Sequence, residues 1–145
     1  MQNKIESNLP KVSVIVPCYN AEKTIVDCIT GLISQDYPAY EIIVVDDASI
    51  DKSWEVLQSI PNILILRNST NRGPAYSRNK AIEQSRGEII LMVDSDSKTI
   101  DNNLIRRHVF AHAKHSNNLG ILGGGIQGVG KGIIAKADRY SHWFL

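Results

Sequence analysis

The chain predicts an α/β fold in which a mostly parallel sheet carries helices on both faces. Four short apolar runs, residues 12–16, 41–45, 62–66 and 88–93, are nearly continuous and rich in β-branched side chains. That is how strands covered on both faces read. Stretches with helical spacing separate them, so the order is strand, helix, strand, helix, strand, helix, strand. Such alternation implies right-handed crossovers and a parallel sheet.

Each element has its own signal. After the first strand, Ile25, Ile29, Leu32 and Ile33 recur at helix spacing. After the second, Trp54, Val56 and Leu57 follow a cap at Ser49 or Asp51. The segment 74–86 opens with Pro74 at a first-turn position. Past the fourth strand, a helix is expected over 101–115, a Gly-rich strand over 119–126 and a last helix toward Leu145. No linker or repeat interrupts the chain, and one domain over 11–145, partial at its C-terminus, follows a polar extension over 1–10.

Composition narrows the function. The 145 residues are 43% hydrophobic and 21% charged, as in a globular domain. A net charge of +1 gives nucleic acid no bulk electrostatic attraction, so an anion must be bound locally. The first eleven residues are neither a signal peptide nor a membrane anchor. No apolar run approaches the roughly 20 residues of a spanning helix. Cys18 and Cys28 read as reduced packing thiols, which implies a cytoplasmic location and leaves the sequon Asn68-Ser69-Thr70 without meaning.

Ligands of open parallel sheets bind beyond the carboxyl ends of the strands. Here those ends carry Pro17-Cys18-Tyr19-Asn20, Asp46-Asp47, Asn71-Arg72-Gly73 and Asp94-Ser95-Asp96. The last triplet has two readings. It is a turn, since Asp and Ser cap helices and close turns, or it is a divalent-metal site. Like charges ~4 Å apart repel by roughly 4 kcal/mol at an effective dielectric near 20, which a cation relieves. Asp47 has the chemistry to accept a nucleobase N–H, Asp94 to meet ribose or base, and Asp96 to ligate a metal. Arg72 and Arg78 suit phosphates, Gly73 permits close backbone approach, and Tyr19 offers a platform for a flat base. For Asp46 the plain alternative is an end-of-strand acid facing solvent, and for Arg72 a surface position.

The succession Val12-Ser-Val-Ile-Val-Pro-Cys-Tyr-Asn20, Glu41-Ile-Ile-Val-Val-Asp-Asp47, Asn71-Arg-Gly-Pro-Ala-Tyr-Ser-Arg-Asn79 and Gly87-Glu-Ile-Ile-Leu-Met-Val-Asp-Ser-Asp96 resembles the nucleotide-sugar-binding half of a family 2 glycosyltransferase with the GT-A fold. The likeness runs from about Lys11 to Gly125. It implies a UDP-, GDP- or dTDP-sugar donor and transfer, with inversion, to an acceptor hydroxyl on a saccharide, lipid or protein. By this resemblance Pro17, Tyr19 and Asn20 line the base and ribose pocket, Asp47 meets the base, and Arg78 lies near the diphosphate with Gly73 beside it. Asp94 and Asp96 match the ends of the family's DXD motif, Asp96 being nearest a Mg²⁺ or Mn²⁺ and Asp94 shared between metal and ribose.

An inverting transfer also needs a general base. The family supplies it from an acid well downstream of DXD, but the only acid after Asp101 here is Asp138, in a stretch unlike that motif. The base is therefore expected beyond Leu145, as is any segment that attaches the full-length protein to the cytoplasmic face of a membrane. The chain is read as the donor-binding half, inactive alone; the alternative is a non-catalytic nucleotide-sugar-binding or regulatory module. Two competing signals are weak. The run Gly123-Gly-Gly-Ile-Gln-Gly128 comes too late for a dinucleotide fingerprint, and Gly132 stands where a phosphate loop needs Ser or Thr. His108 and His112 have helical metal spacing without a third ligand in view.

Overall fold

The computed structural model describes residues 9–114. The chain falls into two compact units, Met1–Val109 and Phe110–Leu145. The four strands among the described residues lie in the first, and of the second only residues 110–114 are described. The expected strand over 119–126, the last helix, the glycine run and Asp138 lie outside the described residues.

The elements alternate as expected: β1 (Val12–Cys18), α1 (Ile25–Ile33), β2 (Tyr40–Asp46), α2 (Ser53–Gln58), β3 (Leu64–Arg67), α3 (Pro74–Gln84), β4 (Ile89–Met92) and α4 (Leu104–Lys114). Every pairing is parallel and the strand order is β3-β2-β1-β4. The chain builds outward from β1 through β2 to β3, then crosses back to place β4 on the other side of β1. That reversal opens a crevice at the carboxyl ends of β1 and β4, where open α/β sheets bind their ligands.

Alternation along β1 sorts the core. Val12, Val14, Val16 and Cys18 face α1 and α2, packing with Ile25, Cys28, Ile29, Leu32 and Leu57, and Ile105 of α4 joins this layer. Ile15, with Ile43 and Val45 of β2, faces Ala81 of α3. Both central strands are thus covered on both faces, which is why they read as continuous apolar runs.

The strand ends differ from the sequence expectation in ways the backbone explains. β1 runs through Pro17 to Cys18 instead of stopping at Val16. In a parallel strand the N–H and C=O of one residue point to the same neighbour, and Ile15 accepts on the β4 side from the Val93 N–H at 3.0 Å. Pro17, two residues on, therefore turns its donorless nitrogen toward β4 beyond that strand's last pairing, Ile15 with Met92. β3 begins at Leu64, not Asn62, because Asn62 holds a left-handed φ of 62° that closes a turn. α2 begins at Ser53, with Asp51 Oδ1 accepting from the Ser53 N–H at 2.9 Å; Ser49 is buried elsewhere.

At the opposite edge of the sheet a polar clamp replaces apolar packing. Glu41 accepts from Ser13 Oγ at 2.7 Å, the Arg86 N–H at 2.7 Å and Lys11 Nζ at 3.1 Å. Burial pushes the Glu41 carboxyl up, but these donors outweigh it and hold it below its usual range.

Candidate functional site

The first strand-end loop is held by its neighbour rather than by its own turn. The Asn20 and Ala21 N–H groups donate to Ser49 Oγ at 3.0 Å and Ser53 Oγ at 2.8 Å. In return the Ile50 N–H donates to Asn20 Oδ1 at 3.0 Å, and the Lys52 N–H to Glu22 Oε2 at 3.1 Å. Asn20 and Ala48, with φ of 49° and 60°, sit in the left-handed region and give both loops the curvature that reciprocal pairing requires.

The acids after β2 serve different ends. Asp46 is fully buried, not facing solvent: its Oδ2 pairs with Arg67 Nε at 3.0 Å, and Arg67 in turn lies 4.8 Å over the Trp54 ring. Asp46 Oδ1 finds no donor among the described residues. Burial, reinforced by this carboxylate, pushes the Cys18 thiol up to about 12. Asp47 turns the other way and binds the loop after β3. Asn68 Nδ2 donates to its Oδ1 at 2.6 Å, the Arg72 N–H to Oδ1 at 2.9 Å, and the Gly73 N–H to Oδ2 at 2.7 Å. Burial alone would raise the Asp47 carboxyl; the hydrogen bonds from Asn68, Arg72, Gly73 and Ser77 outweigh it and hold it below the usual range.

Gly73 adopts φ 83° and ψ 164°, a region open essentially to glycine alone, immediately before Pro74 starts α3. Nothing lies where its Cβ would be, so backbone shape and not space requires the glycine. One turn into α3, Arg78 Nη2 meets Asp94 Oδ1 at 2.7 Å. Asp94 is also held from behind, where the Cys28 thiol donates to its carbonyl at 3.5 Å. Burial, with the Asp96 carboxylate next in weight, pushes that thiol up to about 12. Asp96 is exposed and has no ion-pair or hydrogen-bond partner among the described residues.

These loops enclose a cleft of about 760 Å³. Its walls are Pro17, Tyr19 and Asn20 after β1, Asp47 after β2, Gly73 and Arg78 from the β3–α3 junction, and Asp94, Ser95 and Asp96 after β4, with Glu22, Lys23 and Asp51 at the rim. Every residue singled out for the site in the sequence therefore reaches one cleft, except Asp46, which is buried against Arg67, and Arg72. The Arg72 guanidinium stacks 4.2 Å from the Tyr76 ring at the surface, the plain alternative. His108 and His112 both lie on α4, and no cluster of three metal-holding side chains occurs among the described residues.

Carboxylates dominate the cleft: Glu22, Asp47, Asp51, Asp94 and Asp96 face only Lys23 and Arg78. Such a site repels a diphosphate unless a further cation enters with it. Asp94 and Asp96 fit a Mg²⁺ or Mn²⁺ whose remaining positions come from phosphate and water, the usual way Mg²⁺ is held. That they are only two, and exposed, matches this division.

Sequence reading missed Asn68. As the sequon asparagine it looked meaningless, yet it is buried and its amide joins Asp47 to Ser77. With both amide hydrogens committed, it is no glycosylation acceptor in the folded chain. Its position at the end of β3, one loop before Gly73, was the available signal.

Comparison with known proteins agrees with this geometry. The model for "Glycosyl transferase family 2" matches residues 13–139. The poly(ribitol-phosphate) beta-N-acetylglucosaminyltransferase TarS of Staphylococcus aureus is 40% identical over 126 residues, covering 83% of this chain and 22% of TarS. A poly(ribitol-phosphate) beta-glucosyltransferase of Bacillus spizizenii is 38% identical over 122 residues, covering 79% of this chain and 19% of the relative. The chain thus spans about a fifth of these relatives' length. Among solved structures, S. aureus TarS 1-349 in complex with UDP-GlcNAc superposes with a TM-score of 0.67 at 32% identity, over 79% of this chain and 38% of that one. The mannosyltransferase PcManGT of Pyrobaculum calidifontis, in complex with GDP-Man and Mn²⁺, gives 0.69 at 28% identity, over 74% and 34%. The parallel sheet is that of GT-A glycosyltransferases, and the chain belongs to glycosyl transferase family 2.

Proposed function

We propose that the cleft binds the nucleotide diphosphate of a UDP-sugar, and that the whole protein transfers the glycosyl group, with inversion, to an acceptor hydroxyl. One observation carries this reading: four strand-end loops bring Pro17, Tyr19, Asn20, Asp47, Gly73, Arg78, Asp94 and Asp96 to a single cleft at the sheet's switch point. Tyr19 and Pro17 supply flat apolar surface for the base, and Asp47, held ionised, accepts from a base N–H. Arg78 and the N-terminus of α3 face the diphosphate, where both favour negative charge. The relatives support UDP over GDP, since TarS, structurally the more identical of the two solved relatives described above, is seen with UDP and UDP-GlcNAc.

Asp94 and Asp96 hold a divalent cation in this reading. When bound, it supplies Lewis-acid stabilisation of the departing diphosphate. A cation held there would compete with Arg78 for Asp94, leaving the guanidinium available to phosphate. The two buried free thiols suit a reducing, cytoplasmic compartment, and no described helix is long and apolar enough to cross a membrane.

Residues 1–145 contain no acid after Asp101 other than Asp138, and so lack a matching general base. The chain is therefore expected to bind UDP with Mg²⁺ at least about tenfold more tightly than GDP, a difference of ~1.4 kcal/mol, yet to transfer no sugar from labelled UDP-sugars. Equal affinity for both nucleotides contradicts the donor assignment, and robust transfer by this polypeptide contradicts the assignment of the base to another segment.

A further inference from the structure

We propose that Asn68 is a positioning residue for nucleotide binding: its buried side-chain amide fixes the Asp47 carboxylate and, through it, the Arg72-Gly73 backbone that walls the cleft. The proposal rests on the reading of Asp47 as the acid that meets the base.

Asn68 stands at the end of β3, tied into the sheet edge by its N–H to the Asp46 carbonyl at 2.8 Å. Both of its amide hydrogens and its amide oxygen are engaged. The amide nitrogen donates to Asp47 Oδ1 at 2.6 Å and to Ser77 Oγ at 3.0 Å, and the amide oxygen accepts from Lys80 Nζ at 3.0 Å. Asn68, Asp47 and Ser77 are only 6%, 2% and 0% exposed. Lys80 is fixed as well, donating to the Arg67 carbonyl at 2.7 Å. A bridge with all three of its arms anchored leaves Asp47 a single orientation, in which its other edge accepts from the backbone of Arg72 and Gly73. Gly73 is itself in a glycine-only conformation, and its N–H also donates within the loop to Asn71 Oδ1 at 3.2 Å, longer than its 2.7 Å bond to Asp47. Among the described residues, no side chain but Asn68 links the end of β3, α3 and the Asp47 carboxylate at once.

Aspartate at position 68 has nearly the same shape but donates only when protonated. The charged groups facing it are Asp47 from the end of β2 and Lys80 from α3; Arg67, beside it on β3, is committed to Asp46. Two carboxylates at this separation share a proton, and the second ionises only at a raised pH.

The test measures UDP affinity of the 145-residue chain in saturating Mg²⁺ at about pH 5.5 and about pH 8, expressed at each pH relative to wild type, for Asn68→Ala and Asn68→Asp. Asn68→Ala is expected to weaken UDP by about tenfold or more at both values. Asn68→Asp is expected to bind nearly as wild type at the lower pH and to lose about tenfold at the higher. Wild-type affinity in Asn68→Ala, or a ratio for Asn68→Asp that ignores pH, overturns the proposal. Amide exchange at Arg72 and Gly73 without nucleotide gives a readout independent of binding. Exchange in Asn68→Ala as slow as in wild type overturns the tether itself. Faster exchange there, in a chain whose wild type binds no nucleotide, sustains the tether and instead overturns the nucleotide reading.

Discussion

Two backbone positions and one carboxylate around the cleft test how its loops are shaped. Gly73 occupies φ 83°, ψ 164°, and Gly73→Ala is expected to cost about 1–3 kcal/mol in urea unfolding, although no atom obstructs the new methyl. Ala48 presents the reverse case. Its φ of 60° carries a strain of roughly 1–2 kcal/mol for any residue with a Cβ, so Ala48→Gly is expected to be neutral or stabilising despite glycine's looser unfolded chain. A marked loss in Ala48→Gly contradicts that account. Asp47 adds a pH signature. Its folded-state carboxyl is depressed, so its contribution is complete above the ordinary carboxylate value and is lost as pH falls through the depressed one. The stability gap between wild type and Asp47→Asn is therefore expected to be wide at about pH 7 and to narrow toward about pH 3. A gap that stays constant removes the charge from the explanation.

At the scale of elements, the legible part of the sequence was the part governed by burial. The runs in β1 and β2 are covered on both faces and announce themselves; the strand termini, set by hydrogen-bond parity and one left-handed asparagine, do not. Pro17 is the clearest case, since whether a proline interrupts a strand depends on which neighbour its nitrogen faces and where that neighbour ends. The site was legible for the complementary reason. Acids, Arg78 and Gly73 at strand ends have no packing role to hide behind, whereas the bonds that fix them, such as Asn68 to Asp47, join residues 21 apart in sequence. Gly87 gives this scale its prediction. A Cβ there would overlap the Ser13 backbone nitrogen and the hydroxyl that clamps Glu41, so Gly87→Ala is expected to destabilise by about 1–3 kcal/mol, read by urea unfolding. An unchanged midpoint would mean that β4 shifts freely against β1.

For the molecule as a whole, strand order and charge belong to one argument. The crossover from β3 back past β1 to β4 sets the Asp94-Ser95-Asp96 turn beside the loop after β1, and α3 brings Arg78 across to Asp94. The result is a cleft in which, among the described residues, five acids outnumber two cations, and the proposed reading has a diphosphate enter it with a metal ion as companion. Asp96, unlike Asp94, has no partner among the described residues, and in the proposed reading the metal dependence concentrates there. The most direct measurement is calorimetry of UDP with and without Mn²⁺ on wild type and Asp96→Ala. UDP is expected to bind wild type at least about tenfold more tightly with Mn²⁺ than without, and Asp96→Ala equally weakly in both conditions. Equal affinity of the wild-type chain with and without metal would contradict the account.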